Sequence, residues 1–212
     1  ADQWKIQQAA GNAFIPSNDY SLYDGMLDTA YMLDAVPERY KDLHADDIGT
    51  YFAMARGYQG RFGDVRAFAI KKWFNTNYHY IVPELDDDMQ ARLRSDAFLD
   101  GFRQAAHLGI ETKPVIIGPF TFLKLARCTG RKTATDFTDD ILHAYGSILE
   151  ACNANRVKWL QVDEPFLAMD LTDDDVAFFN RLYSQLLTGK GHVKVLLQTY
   201  FGDVRDCYRD IC

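Results

Sequence analysis

Val115-Ile-Ile-Gly118 is an apolar run between Pro114 and Pro119 with no polar residue inside it. Four residues are too few for a buried helix, and the lack of polar alternation means that neither face meets water. A strand covered on both faces satisfies both conditions, and such strands belong to parallel sheets flanked by helices. The neighbouring sequence supplies those helices. Met89, Leu93, Phe98, Phe102 and Ala106 recur at helical spacing, which predicts a helix over 89–108 with Gly109 as its C-terminal cap. Phe137, Ile141, Tyr145, Ile148 and Cys152 predict a second helix over 135–153. Thr172 to Asp175 reads as a capping box opening a third, with Val176, Phe179, Tyr183 and Leu186 on one face and Gly189 at its end. VKWLQVDEP and HVKVLLQTY are the strands between and after them.

Helices alternating with short strands define βα units, which close into a (β/α)8 barrel or open into a doubly wound sheet. No GxGxxG follows a strand here, so the dinucleotide-binding sheet is disfavoured. The expected fold class is α/β, a (β/α)8 TIM-type barrel that is incomplete in this chain. Such barrels need around 250 residues, whereas this chain has 212 and shows four or five clear strands, one of them around 78–82. Residues 1–212 read as a single domain without linker, repeat or low-complexity segment. SLYDGMLDTAYML and Asp46–Arg56 are expected to be helical. The absence of an initiator methionine suggests a processed or excised piece.

The net charge of -7 disfavours a general nucleic-acid or membrane-surface binder, since polyanions are repelled on average. No apolar run approaches the roughly 18–20 residues of a membrane span, and ADQWKIQQAAG has no signal-peptide pattern. Cys128, Cys152, Cys207 and Cys212 lack CxxC spacing and read as reduced thiols of a cytoplasmic protein.

Functional groups of a parallel barrel collect at the C-terminal ends of its strands. Those ends are GPFTF at 118–122, DEP at 163–165 and TYFGD at 199–203, with NTNYH nearby. Asp163 and Glu164 are adjacent carboxylates that alternation sends to different sides. Either one caps a turn while the other joins a buried ion pair, or one serves a hydrolase. A glycosidase needs a second carboxyl roughly 5–9 Å away, and Asp203 or Glu84 are the possible partners. Among the histidines, His44 carries no pattern, His107 and His143 fall in helices, and His192 starts a strand. His79 lies in a polar, aromatic setting that favours a hydrogen-bonded structural role over a catalytic one. No pair has zinc spacing, so no complete catalytic zinc site is expected.

KKWFNTNYHY, residues 71–80, is different in kind. Lys71 and Lys72 can neutralise a carboxylate or phosphate, and Asn75 and Asn77 offer donors and acceptors. A half-buried strand with polar decoration accounts for the same residues, and composition leaves both readings open.

KKWFNTNYHYIVPEL closely resembles a segment of the N-terminal domain of cobalamin-independent methionine synthases. AAGNAFIPSNDYSLYDGMLDTAYML, AVPERY, YFAMARG, KPVIIGPFTFLKLA, WLQVDEPFLAMDL and LLQTYFGDV resemble that family too, and in its order. The resemblance spans nearly the whole chain.

It implies a parent of two packed barrels that transfers a methyl group from 5-methyltetrahydropteroyl-polyglutamate to homocysteine. The C-terminal catalytic barrel would carry zinc, homocysteine and the proton donor. Zinc there lowers the thiol pKa so that a thiolate attacks the methyl group, and none of its ligands has a counterpart here. The N-terminal barrel would help hold the folate polyglutamate tail, and Lys72 and Asn77 match its tail-binding positions. The DEP at 163–165 would be a relic of duplication. The family's opening strand, its RELK-type basic segment and its last barrel strands have no counterpart in this chain. The isolated chain is therefore expected to be inactive. A stand-alone hydrolase and a non-catalytic scaffold are the rival readings.

Overall fold

The computed structural model describes residues 1–43 and 45–211; His44 and Cys212 lie outside the described residues. The chain opens with α1 (Asp2–Ala9), strand β1 (Pro16–Ser17) and α2 (Gly25–Met32). After α3 (Glu38–Lys41) and α4 (Asp47–Arg56), Gly57 takes φ +77° and turns the chain into the hairpin β2 (Tyr58–Gly60) and β3 (Gly63–Val65). A second hairpin, β4 (Ile70–Lys72) and β5 (His79–Ile81), precedes the short β6 (Glu84–Leu85). Next come α5 (Asp100–His107), β7 (Lys113–Ile117), α6 (Pro119–Leu125) and β8 (Arg127–Cys128). The chain continues with α7 (Thr138–Ala154), β9 (Trp159–Asp163), α8 (Asp173–Leu186), β10 (Lys194–Gln198) and α9 (Tyr208–Ile211).

The organising element is a four-stranded sheet in the order β1-β7-β9-β10, parallel throughout. This is an α/β fold, and the run at 115–118 is the second strand of its sheet. A separate parallel pair joins β6 to β8. Beyond the last residues of the ladder, Gly118 N–H donates to the Asp163 carbonyl and Glu164 N–H to the Gln198 carbonyl, both at 2.8 Å. Those bonds fix the corner that carries both carboxylates. Helices cover the sheet through one hydrophobic cluster that includes Leu27, Met54, Ile81, Ile116, Phe120, Tyr145, Ile148, Leu160, Val162 and Phe179.

The predicted helix ends hold closely over 135–153 and after Thr172. Thr172 Oγ1 accepts from Asp175 N–H at 3.2 Å, and the Asp175 carboxylate accepts from Thr172 N–H at 3.1 Å. Gly109 takes φ +71°, the left-handed cap expected of it.

Two expectations fail locally. Helix 89–108 is helical only over Asp100–His107, after a 3-10 turn at Ala97–Leu99. The N–H groups of Arg92 and Arg94 donate instead to the carbonyls of Leu33 and Met32 at the end of α2. Those carbonyls have no partner within their own helix, so a tertiary contact overrides local propensity. Both side chains also bind Asp34, at 2.7 Å each.

The strand around 78–82 is present, but it is antiparallel to β4 and lies outside the parallel sheet. The intervening turn explains this. Trp73 N–H donates to the Tyr78 carbonyl at 2.8 Å, and the Thr76 hydroxyl donates to the Trp73 carbonyl at 2.6 Å. Phe74 at φ +52° completes the reversal.

Candidate functional site

The β4–β5 hairpin carries every polar residue of KKWFNTNYHY. Its register sets Lys71 opposite Tyr80 and Lys72 opposite His79. Tyr80 is buried and meets Trp73 edge to face at 5.5 Å, while Trp73 also meets Phe74 at 4.9 Å. Phe74 reaches Phe166, beyond the end of β9, at 6.4 Å. These rings anchor the hairpin, as edge-to-face aromatic pairs do. Lys71, Lys72, Asn75, Asn77, Tyr78 and His79 are left exposed. Lys72 ends β4 and Asn77 lies in the turn, so one hairpin brings both into a short stretch of backbone.

A buried carboxylate ties that hairpin to the rest of the fold. Asp24 caps α2 by accepting from Met26 and Leu27 N–H at 2.8 and 3.2 Å, and its other oxygen accepts from Ile81 N–H at 3.1 Å. Burial pushes its carboxyl up to about 6, against the pull of those three hydrogen bonds. One turn along α2, Asp28 accepts from the Tyr51 hydroxyl at 2.5 Å and is also raised by burial.

Asp163 and Glu164 diverge as alternation requires. Glu164 is wholly buried, and its carboxylate accepts from Phe120 N–H at 3.0 Å, Thr121 N–H at 2.6 Å and the Tyr183 hydroxyl at 2.6 Å. It therefore caps α6 from a neighbouring strand, not the turn that follows it. Desolvation raises its carboxyl to about 7, opposed by hydrogen bonds from Thr121, Tyr183 and Phe120. A Cβ on Gly118 would overlap the Glu164 carboxylate, so the glycine of GPFTF is there for close approach. Asp163 is half-buried, accepts from Gln161 Nε2 at 2.7 Å and is raised chiefly by burial. Lys113 donates to the other end of the Gln161 amide, and burial lowers its ammonium despite Asp163 and Asp19.

The carboxyls considered as hydrolase partners have other attachments. Glu84 is buried against Arg39 at 2.8 Å, and Asp203 is exposed and bound to Arg205 at 2.5 Å. A cleft of ≈ 1050 Å³ opens between α2, α4 and the 92–98 segment and includes Asp28, Tyr31, Tyr51, Arg94, Ile117 and Asp163 in its wall. Lys72 and Asn77 are not part of that wall.

His107 and His143 fall in helices as expected, and both are exposed. His192 precedes β10, its backbone N–H donating to Asn153 Oδ1 at 3.1 Å. The hydrogen-bonded structural role expected of His79 is not what the fold gives it: the ring is exposed across from Lys72. Cys128 and Cys152 are free thiols, and burial raises both. Among the described residues no group of three or more His, Cys, Asp or Glu is placed to hold a metal ion. Nor is any described helix long and apolar enough to cross a membrane.

The model of the "Cobalamin-independent synthase, N-terminal domain" family matches residues 1–212, and the chain belongs to that family. Among curated relatives, a 5-methyltetrahydropteroyltriglutamate–homocysteine methyltransferase of Bifidobacterium longum is 50% identical over 216 aligned positions, covering 100% of this chain. Proteins of the same name from Campylobacter jejuni subsp. doylei and Streptococcus suis are 49% and 48% identical, over 98% and 100% of the chain. The chain spans 28% of the length of each of these three relatives.

Proposed function

We propose that this chain is part of the N-terminal half of a methyltransferase that moves a methyl group from 5-methyltetrahydropteroyl-polyglutamate to homocysteine, giving methionine. Its own task is to help hold the polyglutamate tail, with Lys72 and Asn77 as tail ligands. The parallel strands belong to a (β/α)8 barrel, and a C-terminal zinc-bearing barrel supplies the chemistry. The match of all 212 residues to the family carries this reading.

The exposed hairpin supports the division of labour. A γ-linked glutamate tail presents one carboxylate per residue. A solvated ammonium such as Lys72 gains only about 0–1 kcal/mol from each such pairing. An amide at Asn77 donates to carboxylate and accepts from tail N–H groups. Weak contacts repeated along one tethered ligand reinforce one another through effective concentration. The chain therefore contributes affinity for long tails, and it transfers no methyl group on its own.

The decisive measurement uses the full-length methyltransferase that contains this chain. Lys72→Ala should raise KM for the triglutamate substrate severalfold more than for the monoglutamate. Equal effects on both would remove the tail-binding role. Calorimetry with a folate triglutamate separates a binding domain from a scaffold, which would give no heat of binding.

A further inference from the structure

We infer that His79 is a second cationic ligand of the same anion site, closing with Lys72 on one carboxylate of the tail. This rests on the tail-binding reading above and extends it to a residue that neither the family resemblance nor the comparisons assign.

The hairpin register carries the inference. Lys72 and His79 are directly opposite in an antiparallel pair, so their side chains leave the same face with Cβ atoms roughly 5 Å apart. The adjoining pair, Lys71 and Tyr80, turns to the other face, where Tyr80 packs on Trp73. Among the described residues, the ion pairs and side-chain hydrogen bonds include neither Lys72 nor His79. Cross-strand cations with no counter-charge repel one another, and an anion between them reverses that penalty.

Among the described residues, the elements packed most closely on the hairpin bring no uncommitted acid. β4 carries Lys71 and Lys72, and α2, packed on β5, has Asp24 as its N-cap and Asp28 in its first turn. Asp24 is committed to Met26, Leu27 and Ile81 N–H, and Asp28 to the Tyr51 hydroxyl. A carboxylate has two oxygens, one for the lysine ammonium and one for a ring N–H of protonated imidazole. Neutral imidazole offers one ring N–H and imidazolium two with a positive charge, so affinity for a carboxylate should strengthen at lower pH.

The test is calorimetric binding of 5-methyltetrahydropteroyltriglutamate and its monoglutamate to the full-length methyltransferase, at about pH 6 and about pH 8. The wild type should bind triglutamate about threefold tighter at the lower pH. His79→Gln should remove that pH dependence, and His79→Lys should give the tighter affinity at both pH values. Monoglutamate binding should change in neither variant, which also verifies that both are folded. A His79→Gln protein that keeps the wild-type pH profile for triglutamate overturns the role of His79. If Lys72→Ala still loses its triglutamate preference in that case, the tail-binding reading stands alone. If Lys72→Ala leaves triglutamate binding intact, both readings fall.

Discussion

The Asp24 carboxylate accepts the Ile81 N–H at 3.1 Å while capping α2, joining the start of a helix to the base of the candidate binding hairpin. The bond spans 57 residues of chain and lies just past the His79–Lys72 pair. Asp24→Ala removes the cap and leaves a buried N–H without a partner. It should cost about 1–3 kcal/mol in urea unfolding. In the full-length enzyme it should also weaken triglutamate binding more than monoglutamate binding. A variant of unchanged stability would show that the hairpin is held by its aromatic rings alone.

Glu164 provides a pH signature. Its folded-state carboxyl is raised to about 7 from an ordinary 4.5. The native state therefore binds this proton more tightly than the unfolded chain does. The resulting stability is fully present below the unfolded value and is lost as pH rises to about 7. The full span is about 3 kcal/mol. Glu164→Gln removes the titration, so its stability deficit against wild type should be larger near pH 5 than near pH 7.5. Denaturant unfolding of both proteins at the two pH values gives the comparison, and a deficit that grows with pH contradicts the assignment. Asp24, raised to about 6, acts with the same sign.

Gly118 is defined by contact, since its backbone angle is one that any residue adopts. Gly118→Ala drives a methyl into the Glu164 carboxylate and should destabilise by about 1–3 kcal/mol or more. Combining it with Glu164→Ala should relieve part of that cost. Strict additivity in a double-mutant cycle would argue against the clash.

Half-buried Arg39 pairs with buried Glu84, its guanidinium 4.5 Å from the Tyr40 ring centroid. Glu84→Ala alone should cost about 1–3 kcal/mol because it leaves a half-buried cation unpaired. Arg39→Met with Glu84→Leu should recover most of that loss. Thermal unfolding of the two variants separates these outcomes.

Much of the architecture was legible because it rests on local signals. The VIIG run, the helical stripe after it, and the Thr172–Asp175 box each need only a few neighbouring residues to act. The candidate ligands Lys72 and Asn77 were legible through family resemblance, since their residue types alone equally suit a decorated strand. His79 was misread as a satisfied structural histidine, because exposure and cross-strand register are set only once β4 and β5 pair.

The linear chain thus decides where apolar faces and caps recur, and through them the alternation of helices and parallel strands. Tertiary packing decides which unsatisfied backbone groups find each other. It stretched 89–96 along the end of α2, folded residues 70–81 back into a hairpin, and placed Glu164 beneath α6 rather than in a hydrolytic pair. The reason is that a buried N–H, carbonyl or carboxylate must be satisfied wherever a partner lies in space. The partners of Glu164 on α6 are 43 and 44 residues away, and those of the Arg92 and Arg94 N–H groups 59 and 62, beyond the reach of any local pattern.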